Sequence, residues 1–124
     1  MEFEGICLIT NNVPVMAEFY SKVLNVEAEG DETHVALKTK VAAMSIFSVE
    51  GMENMAPYSM SGAGYGSFTI GINVKDVDAE YERIKVLGVD FVMIPTTHPW
   101  GRRSFFFRDP DGNIISFAGM PTKK

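Results

Sequence analysis

The segment 105–117, with the sequence FFFRDPDGNIISF, constrains the fold of this chain more than any other stretch. It has the pattern of two strands joined by a tight turn. Pro110 presets φ for the second position of a type I turn, and Gly112 can take the left-handed conformation that follows. A type I turn with such a glycine bulge is a common hairpin connection. The segment therefore predicts an antiparallel hairpin.

Pairing across this hairpin divides its side chains between two faces. The bulge shifts the register by one residue, so we expect Phe107 opposite Ile115 and Phe105 opposite Phe117. These four side chains share one face, because strand side chains alternate, and we predict that this face belongs to the core. The other face carries Phe106, Arg108, Ile114 and Ser116. Its mixture of aromatic, cationic and hydroxyl groups is typical of the wall of a ligand cleft.

The two halves of the chain resemble each other. The sequence KVLNV at 22–26 matches KVLGV at 85–89, and Ile9 matches Ile72; both matches are 63 residues apart (85 − 22 and 72 − 9). Apolar residues at helical spacing predict a helix at 14–24, and a second helix is predicted at 77–87. The predicted strands are 3–10, 27–29, 33–37, 41–49, 67–74, 89–94, 103–108 and 113–118. This pattern indicates one strand, one helix and three strands, used twice.

Two segments are predicted as loops, 50–66 and 95–99. Glycine and proline punctuate the first of these, which also carries three methionines. It is either a plain connector or a deformable apolar lid, since methionine adapts to varied shapes. The strand at 41–49 is almost wholly apolar, so we expect it to be buried, or nearly buried, on both faces.

Two motifs carry a resemblance to a known family. The sequence FRDPDGN at 107–113, preceded by PWGR at 99–102, resembles the closing hairpin of the vicinal oxygen chelate superfamily. That superfamily includes glyoxalase I, extradiol dioxygenases, fosfomycin-resistance enzymes and bleomycin-resistance proteins, and the motifs most resemble the last branch. The resemblance implies a single α+β domain spanning 1–124, with two βαβββ modules forming a curved, cup-shaped mixed sheet and helices outside. Module one would span about 1–49, the linker 50–66 and module two 67–120.

Metal-dependent members of this superfamily carry His or Glu ligands on four strands that point into the cup. The resemblance places the equivalent positions at Gly5, Ser45 or Ile46, Thr69 and Ser116. A slip of alignment restores no site, because 41–49, 68–74 and 113–118 contain no Asp, Glu, His or Cys. Transition metals require such ligands. We therefore expect no metal and no other cofactor.

The resemblance also places a set of side chains on the inner face or at the mouth of the cup. The predicted ligand-binding residues are Trp100, Phe106, Arg108, Ser116, Thr69, Cys7 and His98. An aromatic box with sparse polar groups is what small organic ligands need. The alternatives are that Trp100 is a partly buried rim residue and His98 a solvent-facing one. Arg102 and Arg103 are expected to be exposed or paired with acids.

These observations favour a metal-free small-molecule-binding protein that sequesters an aromatic or antibiotic-like ligand. The resemblance also implies a homodimer in which two chains share each cleft. The alternatives are a diverged lyase, isomerase or dioxygenase, and a degenerate domain with an interaction role. With a net charge of −5 and no basic stripe, a nucleic-acid partner is not expected. With no apolar run of 18 residues and no signal peptide, we expect a cytoplasmic protein without a membrane partner.

Overall fold

The protein is described by a computed structural model over residues 1–121. Its elements are β1 (Gly5–Thr10), α1 (Val13–Leu24), β2 (Ala28–Gly30), β3 (His34–Leu37), β4 (Ala43–Ser48), α2 (Val49–Met55), β5 (Thr69–Asn73), α3 (Val77–Lys85), β6 (Asp90–Thr97), β7 (Arg103–Arg108) and β8 (Ile114–Gly119). The strands form two open mixed sheets, ordered β1-β4-β3-β2 and β5-β8-β7-β6. The predicted α+β fold with a twice-used βαβββ pattern is confirmed. In the part of the chain described, no helix has the length and apolarity needed to cross a membrane.

The chain divides into two compact units, one ending at Ala63 and one beginning at Gly64. In the first unit, α1 packs on one face of the sheet through a buried apolar stripe that includes Met16, Tyr20 and Val23. Strand β1 runs parallel to β4, with Gly5 opposite Ala43. A Cβ at Gly5 would lie 1.9 Å from the carbonyl oxygen of Ala43, so only glycine allows this close pairing.

The second unit repeats this arrangement, with α3 packed against β6, β7 and β8. The predicted register of the organising hairpin is confirmed, since Phe105 pairs with Phe117 and Phe107 with Ile115. All four side chains are buried, as expected. On the same side of the sheet, Arg103 is paired with an acid on α3, as anticipated.

That ion pair fixes α3 to the sheet by a bidentate contact. The Arg103 guanidinium donates from Nε to Asp78 Oδ2 at 3.0 Å and from Nη2 to Oδ1 at 2.8 Å. The hydrogen bond to Asp78 raises the pKa of Arg103. Arg103 is therefore committed to the helix-covered face of the sheet.

The turn of the hairpin also has the predicted chemistry. Gly112 adopts a left-handed φ of 92°, and its N–H donates to the carbonyl of Asp109 at 2.9 Å. The Asp109 N–H donates to the carbonyl of Asn113 at 2.9 Å, which closes the bulge. The Asp109 carboxylate accepts further hydrogen bonds from the backbone N–H groups of Asp111 and Asn113, both at 2.9 Å.

Three predictions about elements were wrong. The first part of the predicted loop 50–66 is helix α2, because Ser48 caps it by accepting from the Gly51 N–H at 2.9 Å. Strand β6 runs through the predicted loop 95–99 as far as Thr97. It tolerates Pro95 because it is an edge strand with irregular pairing on both sides of Met93. Strand β4 is not buried on both faces, since burial alternates along it and its Ala43 is exposed.

Candidate functional site

The candidate site is a cleft of about 590 Å³ in the second unit. It lies on the face of the sheet opposite α3, because its strand residues alternate with the buried core residues. The sheet contributes Gly71, Ile72, Asn73, Ser104, Phe106, Ser116 and Ala118. The connection from β6 to β7 contributes His98, Trp100 and Arg102. This connection therefore supplies the indole of Trp100 and the guanidinium of Arg102, and the sheet supplies the floor of the cleft.

This connection is built like the turn of the organising hairpin. The segments 98–102 and 109–113 share the pattern of proline second and glycine fourth. The Gly101 N–H donates to the carbonyl of His98 at 2.9 Å, and the His98 N–H donates to the carbonyl of Arg102 at 2.8 Å. Gly101 has a left-handed φ of 94°. Trp100 therefore occupies the third position of a tight turn, where the residue is 73% exposed.

His98 connects this turn to the floor of the cleft. Its Nε2 lies 2.7 Å from the hydroxyl of Ser104, which is only 4% exposed. Its imidazole ring stacks on the indole of Trp100 with centroids 4.7 Å apart and an angle of 6° between the planes. A stacked aromatic pair contributes about 0.5–1.5 kcal/mol beyond its buried area. The imidazole therefore orients the indole while leaving most of Trp100 accessible to a ligand.

Arg102 supplies the formal positive charge of the cleft. Its Nη2 donates to the side-chain oxygen of Asn73 at 3.2 Å, and both residues are exposed. This contact links the loop to the end of β5 and directs the guanidinium across the mouth of the cleft. No acidic residue lies among the lining residues, all of which belong to the described chain.

The floor of the cleft is partly apolar and leaves room for a ligand. Phe106 and Ser116 face each other across β7 and β8, and both are half-buried. At Gly71, no neighbouring atom lies within 4 Å of where a Cβ would be, so the floor is open there. A concave surface of this size with a few convergent polar groups is typical of a small-molecule site.

The structure brings together four of the seven residues predicted to bind a ligand: His98, Trp100, Phe106 and Ser116. Thr69 is exposed on β5 but does not line the cleft. Arg108 also lies outside it, and its Nη1 donates to the Gly112 carbonyl at 2.9 Å, which ties the guanidinium to the turn. Cys7 belongs to the first unit, where it is exposed opposite Ser45. Contact between any of these residues and a ligand remains a prediction.

Six lining residues are not among the predicted site residues: Gly71, Ile72, Asn73, Arg102, Ser104 and Ala118. Ser104 carries no signal of its own in the sequence, because it is a single hydroxyl between Arg103 and three phenylalanines. Arg102 was expected to be exposed, which it is, but it also lines the cleft. The signal that could have found it is the spacing of Pro99 and Gly101, which matches the spacing in the other turn and predicts a second tight hairpin.

The residues at the positions equivalent to the superfamily's metal ligands do not fit a transition metal. Gly5 has no side chain, and the space for one is filled by the facing strand. Ile46 is buried and apolar, while Ser45, Thr69 and Ser116 offer only hydroxyl groups. Such metals require imidazole, thiolate or carboxylate ligands. Within residues 1–121, no three His, Cys, Asp or Glu side chains form a group that could hold a metal ion.

Comparison with known proteins agrees with this architecture. Residues 3–117 match the family model of the Glyoxalase/Bleomycin resistance protein/Dioxygenase superfamily. The chain belongs to this superfamily. One relative is the uncharacterized protein YraH of Bacillus subtilis strain 168. It is 28% identical over 127 residues, and the match covers 97% of this chain and 99% of YraH.

Two solved structures show the same superfamily fold. A glyoxalase/bleomycin resistance protein/dioxygenase family enzyme from Burkholderia phytofirmans PsJN superposes with a TM-score of 0.85 at 16% identity, covering 97% of this chain and 99% of that one. A glyoxalase/bleomycin resistance protein/dioxygenase from Nocardioides gives a TM-score of 0.82 at 16% identity, covering 100% of this chain and 86% of that one. At these identities the likeness extends to the fold alone.

Proposed function

We propose that this protein binds a flat aromatic small molecule, of an antibiotic-like kind, in the cleft of the second unit and sequesters it unchanged in the cytoplasm. The observation that carries the proposal is the indole of Trp100, held by the imidazole of His98 at the edge of an open cleft of about 590 Å³. Ligand pockets commonly measure about 300–1,000 Å³ and combine apolar walls with a few placed polar groups.

The geometry supports stacking as the main source of affinity. One face of the indole is covered by His98, yet Trp100 remains 73% exposed, so the opposite face is open to a ligand ring. Phe106 adds a second aromatic surface on the floor. Because the stack with His98 already orients Trp100, binding would cost less side-chain entropy than it would for a mobile indole.

We also propose that the protein is a homodimer. The second unit exposes several large apolar side chains, namely Phe68, Val92, Ile94, Trp100 and Met120. Two of them lie on β6, an edge strand of its sheet, and exposed apolar surface beside an open edge favours association. Light scattering should give twice the monomer mass at micromolar concentration. A monomer mass throughout would contradict the dimer without affecting ligand binding.

Binding can be tested through the single tryptophan. A thermal-shift screen of planar aromatic compounds should yield ligands that shift or quench the Trp100 emission saturably. Calorimetry should then show that Trp100→Ala weakens binding about tenfold, which corresponds to about 1.4 kcal/mol. Phe106→Ala should also weaken it. Val86→Ala is the control, because this exposed apolar residue caps the end of α3, on the other face of the sheet.

Two results would contradict the proposed function. If ligands bind Trp100→Ala and Phe106→Ala as tightly as wild type, the cleft is not where they bind. If mass spectrometry shows the bound compound converted to a product with turnover, the protein is an enzyme and not a sequestering protein. Recovery of the compound unchanged, together with weakened binding in both cleft variants but not in Val86→Ala, supports the proposal.

A further inference from the structure

We propose that the cleft selects aromatic molecules that carry a negative charge, such as aryl carboxylates, and that Arg102 is the residue that selects them. This inference rests on the proposed function and adds the chemical class of the ligand. A cationic ligand would instead require acidic groups in the cleft.

The distribution of charge around the cleft is one-sided. The chain has 16 acidic and 11 basic residues, yet the lining residues include a guanidinium and an imidazole and no carboxylate. Three of the acids near the cleft in sequence, Asp76, Asp78 and Asp109, are engaged by other groups, and the Asp109 carboxylate accepts from the side-chain N–H of Asn113 at 2.9 Å. Asp76 accepts from the Ala79 N–H at 3.0 Å, and Asp78 holds Arg103 on the helix-covered face. A ligand anion would therefore meet a positive group without a competing carboxylate from the lining.

Arg102 is positioned to receive such an anion. A guanidinium has five N–H donors in a planar fork, and the hydrogen bond to Asn73 uses one of them. The backbone of Arg102 is held by the hydrogen bond from the His98 N–H at 2.8 Å. The same turn thus presents the indole of Trp100 and the guanidinium of Arg102 to one cleft. A ligand could stack its ring on the first and bind its carboxylate through paired hydrogen bonds to the second.

Arg108 provides a matched comparison within the same sheet. Arg102 directly precedes β7, and Arg108 is the last residue of that strand. The Arg108 guanidinium donates to the Gly112 carbonyl at 2.9 Å and lies outside the cleft. Replacing Arg108 removes the same net charge from the protein without removing a charge from the cleft. Any long-range effect of net charge would appear in both variants, whereas direct recognition would appear only when Arg102 is replaced.

The test uses three probes with the same ring and different charges: naphthoate, naphthamide and naphthylmethylammonium. Their dissociation constants are measured by calorimetry or ligand-observed NMR at neutral pH, with wild type, Arg102→Gln and Arg108→Gln. Wild type should bind naphthoate about tenfold more tightly than naphthamide, and the cation more weakly than either. Arg102→Gln should reduce the preference for naphthoate to about twofold or less while leaving naphthamide binding unchanged. Arg108→Gln should keep the preference.

The possible failures separate the two proposals. Equal binding of the three probes, or preference for the cation, overturns the charge selection but leaves aromatic binding in place. A preference for naphthoate that survives in Arg102→Gln overturns the assignment to Arg102. Failure of all three probes to bind at millimolar concentration overturns the proposed function and this inference together. Circular dichroism and thermal unfolding of the variants confirm that a lost preference is not caused by misfolding.

Discussion

Replacing Ser104 by alanine should make the indole of Trp100 more mobile, although Ser104 acts on Trp100 only through His98. The Ser104 hydroxyl lies 2.7 Å from His98 Nε2, and the His98 ring stacks on Trp100 at 4.7 Å. Ser104 is nearly fully buried, so water cannot easily replace the lost hydroxyl. The variant therefore removes the attachment of the imidazole to the sheet while leaving the imidazole and the indole intact.

The expected magnitude follows from the two contacts. A typical intramolecular hydrogen bond contributes about 0.5–1.5 kcal/mol to stability, so Ser104→Ala should lower the free energy of unfolding by about 1 kcal/mol. For a chain of this length, that corresponds to a melting temperature lower by about 3–5 °C. If the hydrogen bond also holds the imidazole under the indole, the same energy shifts the equilibrium between stacked and unstacked rings roughly fivefold. The emission of Trp100 should report this second effect.

The assay combines urea unfolding with acrylamide quenching and fluorescence anisotropy of Trp100, the only tryptophan in the chain. Quenching should increase and anisotropy should fall in Ser104→Ala. His98→Ala should give at least as large a change, and adding Ser104→Ala to it should add little, because both act through one connection. Ser116→Ala is the control, since it removes a hydroxyl from the same face of the sheet but not the one bonded to His98.

Unchanged quenching and anisotropy in Ser104→Ala would refute this reasoning, even if stability fell by the expected amount. Such a result would mean that the imidazole holds the indole without help from the serine. An equal change in Ser116→Ala would also refute it, because the effect would then belong to the floor of the cleft in general.

Three further predictions concern the fold. Phe107→Ala should lower the free energy of unfolding by about 3–5 kcal/mol, measured by urea unfolding, because this ring is fully buried among three others; a loss below about 1 kcal/mol would contradict this. Gly5→Ala should prevent β1 from pairing with β4, whereas Gly71→Ala, which has open space around it, should give a native NMR spectrum; similar spectra for both would be the contrary result. Hydrogen bonds from two backbone N–H groups lower the pKa of Asp31, so its stabilising effect is present above the unfolded-state pKa and is lost as pH falls through the folded value. An NMR titration that gives Asp31 an ordinary pKa would disprove this effect, and Asp31→Asn should remove that part of the acid dependence.

The sequence by itself determined the organising hairpin and the repeat. Turn chemistry is local, so Pro110 and Gly112 were enough to predict the bulge, and the two-residue period of a strand then assigned every side chain of the hairpin to a face. The predicted pairs and the burial of Phe105 and Phe107 follow from these rules. The repeated motif predicted the βαβββ order, because the spacing between elements is preserved when a module is used twice.

Tertiary structure decided where individual elements end. Helix α2 depends on the Ser48 cap and on packing against β1 and β4, and together these outweigh the turn signals of the glycines and the proline in the segment. Strand β6 continues past Pro95 because an edge strand tolerates the loss of the one hydrogen bond that proline cannot donate. Whether a strand lies at an edge is decided by the sheet and not by the strand's own residues. Neither outcome follows from the residues of the segment alone.

Tertiary structure also decided which polar groups belong to the cleft. Alternation placed Arg108 on the cleft face, but its guanidinium folds back onto the turn, where a carbonyl accepts from it. Arg102 instead follows a turn that directs it to Asn73 across the cleft mouth. The hydrogen bond of His98 to Ser104 likewise joins residues from the two sides of one turn. The two-residue period of a strand decides the face from which a side chain leaves the backbone. Where the charged end of a long side chain then lies depends on the hydrogen-bond partner that the fold brings close to it.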